Sequence, residues 1–193
     1  AMRALAAIGD PKSAPVLVPL VAKAPAAVLR LEAASALGAL ADPARADFLL
    51  DYLEDEWPPM RAASQAALAK ADPETFMTVL SGLDVDDAAP GYKHAIIAPV
   101  VGGGITSAKT ELQTSYGLLG SDWRVANGAM TLTVTVPANT TASVTLRDAT
   151  AATAREGGMA LSAAAGVRSV RAEGKDLVVT IGSGRYVFDT AAQ

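Results

Sequence analysis

The hydrophobic period of this chain changes once, across the Pro-, Gly- and Asp-rich passage Gly82–Gly91, and that change decides what the chain can fold into. Before it, apolar residues recur at helical spacing. After it they alternate in twos, as in Met130–Val136, where Leu132, Val134 and Val136 fall on one face and Thr131, Thr133 and Thr135 on the other. A side chain reverses face at every strand residue but returns to its own face only after three or four helical residues, so one pattern does not fit the other element. The expectation is an α+β chain in two segregated parts: an N-terminal α-α solenoid and a C-terminal antiparallel β-sandwich. Its divisions are residues 1–81 for the helices, 82–92 for a linker and 93–193 for the sandwich.

The helical part repeats. Asp10-Pro11, Asp42-Pro43 and Asp72-Pro73 follow one another at intervals of 32 and 30 residues. An Ala-rich segment precedes each dipeptide (Met2–Gly9, Val28–Ala41, Met60–Ala71) and an amphipathic one follows it (Lys12–Ala24, Ala44–Glu56, Glu74–Leu83). Asp accepts N–H bonds from the open first turn of a helix, and Pro suits that turn because its missing N–H has no partner there anyway. Val28, Leu31, Ala34, Leu37 and Leu40 read as one apolar face, and Phe48, Leu49, Tyr52 and Leu53 as the next. The small residues of Ala33-Ala34-Ser35 and Ala62-Ala63-Ser64 favour close helix approach. A period of this size built from helix pairs reads as a solenoid. The opening AMRALAAIGDP starts within a repeat, as though a longer chain had been cut, and has no basic region leading into an apolar stretch, so no signal peptide is expected.

In the second part, strands are expected over Lys93–Val100, Ile105–Leu112, Leu118–Val125, Met130–Val136, the stretch around Ala142–Leu146, Val167–Ala172, Leu177–Ile181 and Arg185–Thr190. Turns are expected at Gly102–Gly104, Thr114–Gly117, Asn127-Gly128, Pro137–Thr140, Glu173–Asp176 and Gly182–Gly184. Asn-Gly accepts the positive φ of a two-residue hairpin. Short strands separated by turn signals at this density indicate a sandwich.

Composition narrows the function classes. A net charge of −4 is a poor match for nucleic acid, whose binders cluster Lys and Arg. No apolar run reaches the roughly 18 residues of a membrane span, so a soluble chain is expected, with no membrane partner and an unassigned compartment. There is no cysteine, which removes disulfides and thiolate metal sites. Aromatics are only 5% of a chain that is 51% hydrophobic, so the core relies on Ala, Val and Leu.

The residues with chemical potential each carry a plainer reading. Asp51, Glu54, Asp55 and Glu56 suggest a metal or a basic partner, or else a solvated helix end before Trp57-Pro58-Pro59; the second is adopted. Asp84, Asp86 and Asp87 read as helix-stop and turn residues. Gly102–Gly104 lacks the Lys-Ser/Thr of a phosphate loop. His94 is the only histidine and has no second His or Cys with which to share a metal. Tyr92, Tyr116 and Trp123, with His94, are candidate sugar or domain-docking contacts, against the alternative that they fill the core. No catalytic, metal-binding or cofactor-binding residue is assigned, and no cofactor is expected.

Two resemblances add to this. VLRLEAASALGALADP and PMRAASQAALAKADP resemble HEAT repeats of the phycobilisome-lyase type over about residues 1–81. In that family the repeats present a concave face to protein partners. SGLDVDDAAPGYKHAIIAP, VVGGGITSAKTELQTSYGLLGSDW, GAMTLTVTVPANTTASVTL and GSGRYVFD, in that order, resemble the C-terminal end of bacterial α-L-rhamnosidases over about residues 80–190. That resemblance implies a β-sandwich following the last helix of an (α/α)₆ catalytic barrel, with inverting hydrolysis of terminal rhamnose performed by acidic residues of the barrel. The helix Glu74–Leu83 would stand where the barrel's last helix does. Upstream of residue 73 the repeats replace the barrel, and no Asp or Glu matches its carboxylates. The expectation is therefore a non-catalytic accessory β-domain beside a protein-interaction segment, not an enzyme by itself. Its partners would be a protein on the repeats or a missing catalytic domain, with rhamnosides as a further ligand class. The alternatives are a HEAT-repeat scaffold with no carbohydrate role, and a carbohydrate-binding module.

Overall fold

A computed structural model describes residues 2–40, 46–53, 55–101 and 105–191. Asp42-Pro43, Glu54 and Gly102–Gly104 lie outside the described residues. The chain forms two compact units, Ala1–Phe76 and Met77–Gln193.

The first unit contains α1 (Met2–Ile8), α2 (Ala14–Lys23), α3 (Ala27–Leu40), α4 (Ala46–Leu50), α5 (Pro58–Ala71) and the start of α6 (Pro73–Ser81). This is the expected run of helical repeats. Helix α5 opens on Trp57, with Pro58 and Pro59 in its first turn. The buried stripe of α3 is Ala33, Ala34, Ala36, Leu37 and Leu40, whereas Val28 is 61% exposed. A strict three-residue spacing drifts about 60° per step around a 3.6-residue helix, so Val28 and Leu40 cannot share a face. The buried face of α3 is therefore shorter than the spacing of three implies. Small residues do set the helix separation: a Cβ on Gly38 would stand 2.5 Å from the Cα and Cβ of Ala67 on α5. The helix expected over Ala44–Glu56 is also shorter than its pattern. After Leu50 the chain tightens into i→i+3 bonds, Tyr52 N–H to Leu49 O and Leu53 N–H to Leu50 O. Asp55 then accepts the Trp57 N–H at 2.9 Å and pairs with Arg30 at 3.4 Å. Because Arg30 Nε also donates to Val21 O, this guanidinium ties the end of α2 to the turn before α5.

The second unit contains the end of α6 and β1 (Leu83–Val85), β2 (His94–Ile97), β3 (Ser107–Thr114), β4 (Gly117–Ala126), β5 (Ala129–Val136), β6 (Thr141–Leu146), β7 (Arg155–Glu156), β8 (Met159–Ala160), β9 (Val167–Glu173), β10 (Asp176–Ile181) and β11 (Gly184–Ala191). They form a five-stranded sheet, β1-β2-β6-β10-β9, and a six-stranded sheet, β3-β4-β5-β11-β7-β8. Pairing is antiparallel except between β2 and β6, which run parallel with His94 opposite Thr141. The alternation read from Met130–Val136 holds: Met130, Leu132, Val134 and Val136 are buried and their threonine neighbours are not. Asn127 and Gly128 take φ of 52° and 74°, the two left-handed positions a tight hairpin needs.

The passage 82–92, read as a linker, begins with strand β1, whose three residues are too few to show a period. Gly82 makes the junction possible. It ends α6 with φ of 73°, its N–H bonding to Thr78 O at 3.1 Å, and any Cβ there would fall 2.1 Å from the Ala98 carbonyl carbon.

Candidate functional site

Two groups of residues cover the sequence candidates, both in the β unit. One lies on the core side of β4. Successive strand residues face opposite ways, so Leu119, Ser121 and Trp123 point inward together. Trp123 is fully buried, and its indole N–H donates to Leu80 O at 2.7 Å. Ser121, 1% exposed, donates its hydroxyl to Ser81 O at 2.6 Å. Both carbonyls belong to the last residues of α6, where a helix has carbonyls without intrahelical partners. A backbone bond joins in, from the Val100 N–H to Leu80 O at 3.0 Å. These contacts latch the helix end onto the sheet. Trp123 has no face open to a sugar ring, and its surroundings fit the alternative that it fills the core.

The second group gathers where the chain enters β2, around the β3–β4 hairpin and the turn before β6. Tyr92 adopts φ of 63° and is half-buried. Lys93 stands over the Tyr116 ring at 5.1 Å and donates to Asn139 O. Tyr116 is 41% exposed. His94 bonds through Nδ1 to Thr141 Oγ1 at 2.6 Å and through Nε2 to Ser143 Oγ at 2.9 Å, so both ring nitrogens are used across the parallel β2–β6 pair. A histidine whose two nitrogens are engaged by hydroxyls has none left for a metal. Thus Tyr116 meets Lys93, the neighbour of Tyr92 and His94, while Trp123 is in the core.

The acidic residues of this unit have local duties. Asp86 Oδ1 accepts the Ala88 N–H at 2.9 Å, as a turn residue does. Asp84, expected to be a helix-stop or turn residue, instead lies within strand β1 opposite Ile96, where its Oδ1 accepts the Val85 N–H at 2.7 Å. Glu156 accepts the Val187 N–H and Asp189 the Thr131 hydroxyl. Glu111 pairs with Lys109 at 3.0 Å, and the hydrogen bond it accepts raises the Lys109 ammonium above its ordinary pKa. Burial, and then the Glu156 carboxylate, push the Tyr186 phenol upward. Among the described residues, no three of His, Asp or Glu gather as a metal site. An apolar cavity between Pro99, Met130, Thr145 and Thr190 measures about 20 Å³, room for a water rather than a ligand. A larger polar groove lies on the outer face of β3, β4, β5 and β11 around Gly120. Its one signal in the sequence is a glycine, Gly120, at an outward position of a strand.

Comparison with known proteins follows this division. Residues 82–160 match the model of the bacterial alpha-L-rhamnosidase C-terminal domain, and residues 1–69 match that of HEAT repeats. An alpha-L-rhamnosidase of Formosa agariphila is 29% identical over 112 residues, which is 58% of this chain and 12% of that protein. A second from the same organism is 44% identical over 54 residues, covering 28% of this chain and 6% of the relative. The chain therefore spans only a small fraction of the length of the curated relatives it matches. The solved alpha-L-rhamnosidase from Dictyoglumus thermophilum superposes with a TM-score of 0.53 at 24% identity, over 65% of this chain and 14% of that one, which shows a shared fold. Among the described residues no helix is long and apolar enough to cross a membrane.

Proposed function

We propose that the β unit is a non-catalytic accessory domain of the kind found at the C-terminal end of α-L-rhamnosidases, and that the helical repeats before it are a protein-docking segment. The observation that carries this reading is the latch. The family match over residues 82–160 takes in Ser121 and Trp123, the buried polar side chains that hold the end of α6. Such a domain is built to receive a helix end, not to surround a scissile bond. The use made of its carboxylates supports the same conclusion. Inverting glycoside hydrolysis needs an acid and a base about 6.5–9.5 Å apart across the substrate, both free to exchange protons. Here Asp84 and Asp86 are committed to backbone N–H groups and Asp189 to a hydroxyl.

An aryl α-L-rhamnoside assay on the full chain tests the denial of catalysis. No release of the aryl alcohol above the uncatalysed rate is expected. Turnover that disappears when a single carboxylate is replaced by its amide would overturn it. The catalytic partner of this reading is a rhamnosidase barrel on a separate chain or segment. Mixing the full chain with an isolated barrel and measuring co-elution examines that partnership, and separate elution of the two would count against it.

A further inference from the structure

The outer face of the six-stranded sheet carries a groove of about 130 Å³ whose floor is Gly120. Cross-strand register explains why it is there. Glu111, Gly120, Thr135 and Arg185 lie in one row across β3, β4, β5 and β11. Lys109, Asp122 and Thr133 lie in the adjacent row. All have the parity opposite to Ser121 and Trp123, so they stand on the side away from the core. Where Gly120 interrupts its row, the longer side chains on either side bound an open trough. Its volume is about ten times the 10–15 Å³ that one water requires.

The chemistry of the trough is specific. No hydrogen bond, ion pair or ring contact among the described residues engages the side chains of Thr133, Thr135 or Arg185. Two cations, Lys109 and Arg185, and two anions, Glu111 and Asp122, line the trough, with Lys109 and Glu111 paired at 3.0 Å at its exposed rim, so the formal charge is balanced. An anionic ligand would meet two carboxylates and a cationic one would meet an ammonium and a guanidinium. A neutral polyol meets neither penalty. Each of its hydroxyls can donate to a carboxylate and accept from a cation, and such charge-assisted bonds are the strong ones. The threonine hydroxyls can do either. Two residues along β4 on the same face, Leu118 is 43% exposed, an apolar shoulder about 7 Å from Gly120 at the rise of a strand. Paired polar groups beside an apolar ledge match the two sides of a pyranose ring.

We propose that this groove is a binding subsite for a neutral saccharide. The proposal rests on the groove and not on the accessory-domain reading, so the rhamnosidase assay and the following experiment can fail separately.

The test is a titration of the full ¹⁵N-labelled chain with three probes: L-rhamnose (neutral), D-galacturonate (anionic) and D-glucosamine (cationic). Saturable amide shifts at Gly120, Asp122, Thr133 and Thr135 are expected with L-rhamnose at millimolar concentration, and weaker ones with the two charged sugars. Gly120→Val should abolish them. An added Cβ would sit 3.6 Å from Glu111 Cγ and from Thr135 Cβ, which is ordinary contact, so the branched side chain fills the trough and the spectrum stays dispersed. The double variant Thr133→Val, Thr135→Val keeps shape and strand preference, and should weaken L-rhamnose about tenfold, equivalent to about 1.4 kcal/mol. Absence of saturable shifts at these four amides, or shifts that survive Gly120→Val, would overturn the proposal. So would tighter binding of D-galacturonate that is lost in Arg185→Gln, since the trough would then be an anion site.

Discussion

Replacing Ser121 with Ala removes one oxygen atom from the core and leaves one carbonyl without its partner. Ser121 Oγ lies 2.6 Å from Ser81 O, and the two residues are 1% and 0% exposed. A hydrogen bond contributes about 1 kcal/mol net, but an orphaned buried acceptor costs about 1–3 kcal/mol. No second donor to Ser81 O is present among the described residues, and water does not reach it. A destabilisation of about 2 kcal/mol is expected, about 30-fold in the folding equilibrium of the β unit. The chain contains two tryptophans, Trp57 in the helical unit and Trp123 in the β unit. In a Trp57→Phe background, urea unfolding followed by the emission of Trp123 reports the β unit alone. Trp123→Phe is the control. It deletes a bond to Leu80 O, but that carbonyl keeps the Val100 N–H at 3.0 Å, so no acceptor is orphaned. Its cost is a hydrogen bond of about 1 kcal/mol. A further contribution of about 1 kcal/mol comes from roughly 40 Å³ of unfilled volume. Read by circular dichroism, it should cost about as much as Ser121→Ala although it removes far more mass. The two losses should couple by more than about 0.5 kcal/mol in the double variant, since both bonds hold the same helix end. A Ser121→Ala effect below about 0.5 kcal/mol, or strict additivity, would refute the latch.

Gly38→Ala gains about 1 kcal/mol of helix propensity, yet its Cβ would meet Ala67 at 2.5 Å. Overpacking of about 1–3 kcal/mol should dominate and lower the thermal midpoint of the helical unit. His94→Ala breaks the bonds to Thr141 and Ser143 and should cost the β unit about 1–2 kcal/mol, seen as faster amide exchange along β2 and β6. The Tyr186 phenol has its pKa raised by burial and by Glu156, so its contribution to stability is complete below the ordinary tyrosine value of about 10 and is lost as pH rises through the folded-state value. The melting temperature of the β unit should therefore fall as pH rises from about 10 to the folded-state value, and Tyr186→Phe should flatten the decline.

Local rules explain most of what was legible in the sequence. Alternation in Met130–Val136 and the Asn127-Gly128 turn specify a hairpin strand wherever it docks, because side-chain parity and a left-handed turn need no distant partner. The four quoted rhamnosidase-like segments fall on β1–β6 and β11 for the same reason. Where the reading overreached, a local pattern was asked to report contacts. Val28 fits a spacing of three but lies on a part of α3 that none of the described residues covers. Of the four candidate residues, Tyr116 is exposed, Tyr92 and His94 are half-buried, and Trp123 is enclosed, though all four looked alike as polar-tipped rings in a β-rich passage.

The sequence by itself determined the change from helices to strands, the longer strands and the hairpin turn at Asn127-Gly128, since each follows from the preferences of residues adjacent in the chain; the short β1, β7 and β8 carry too few residues to show a period. Only the tertiary structure decided the rest. The parallel pairing of β2 with β6 joins residues 47 apart in sequence, and Trp123 is buried because the end of α6, 43 residues earlier, presents it with a carbonyl. The trough at Gly120 exists because four strands align their outward residues in one register. Such register is a property of the assembled sheet, fixed by which faces are buried and not by any one strand's composition.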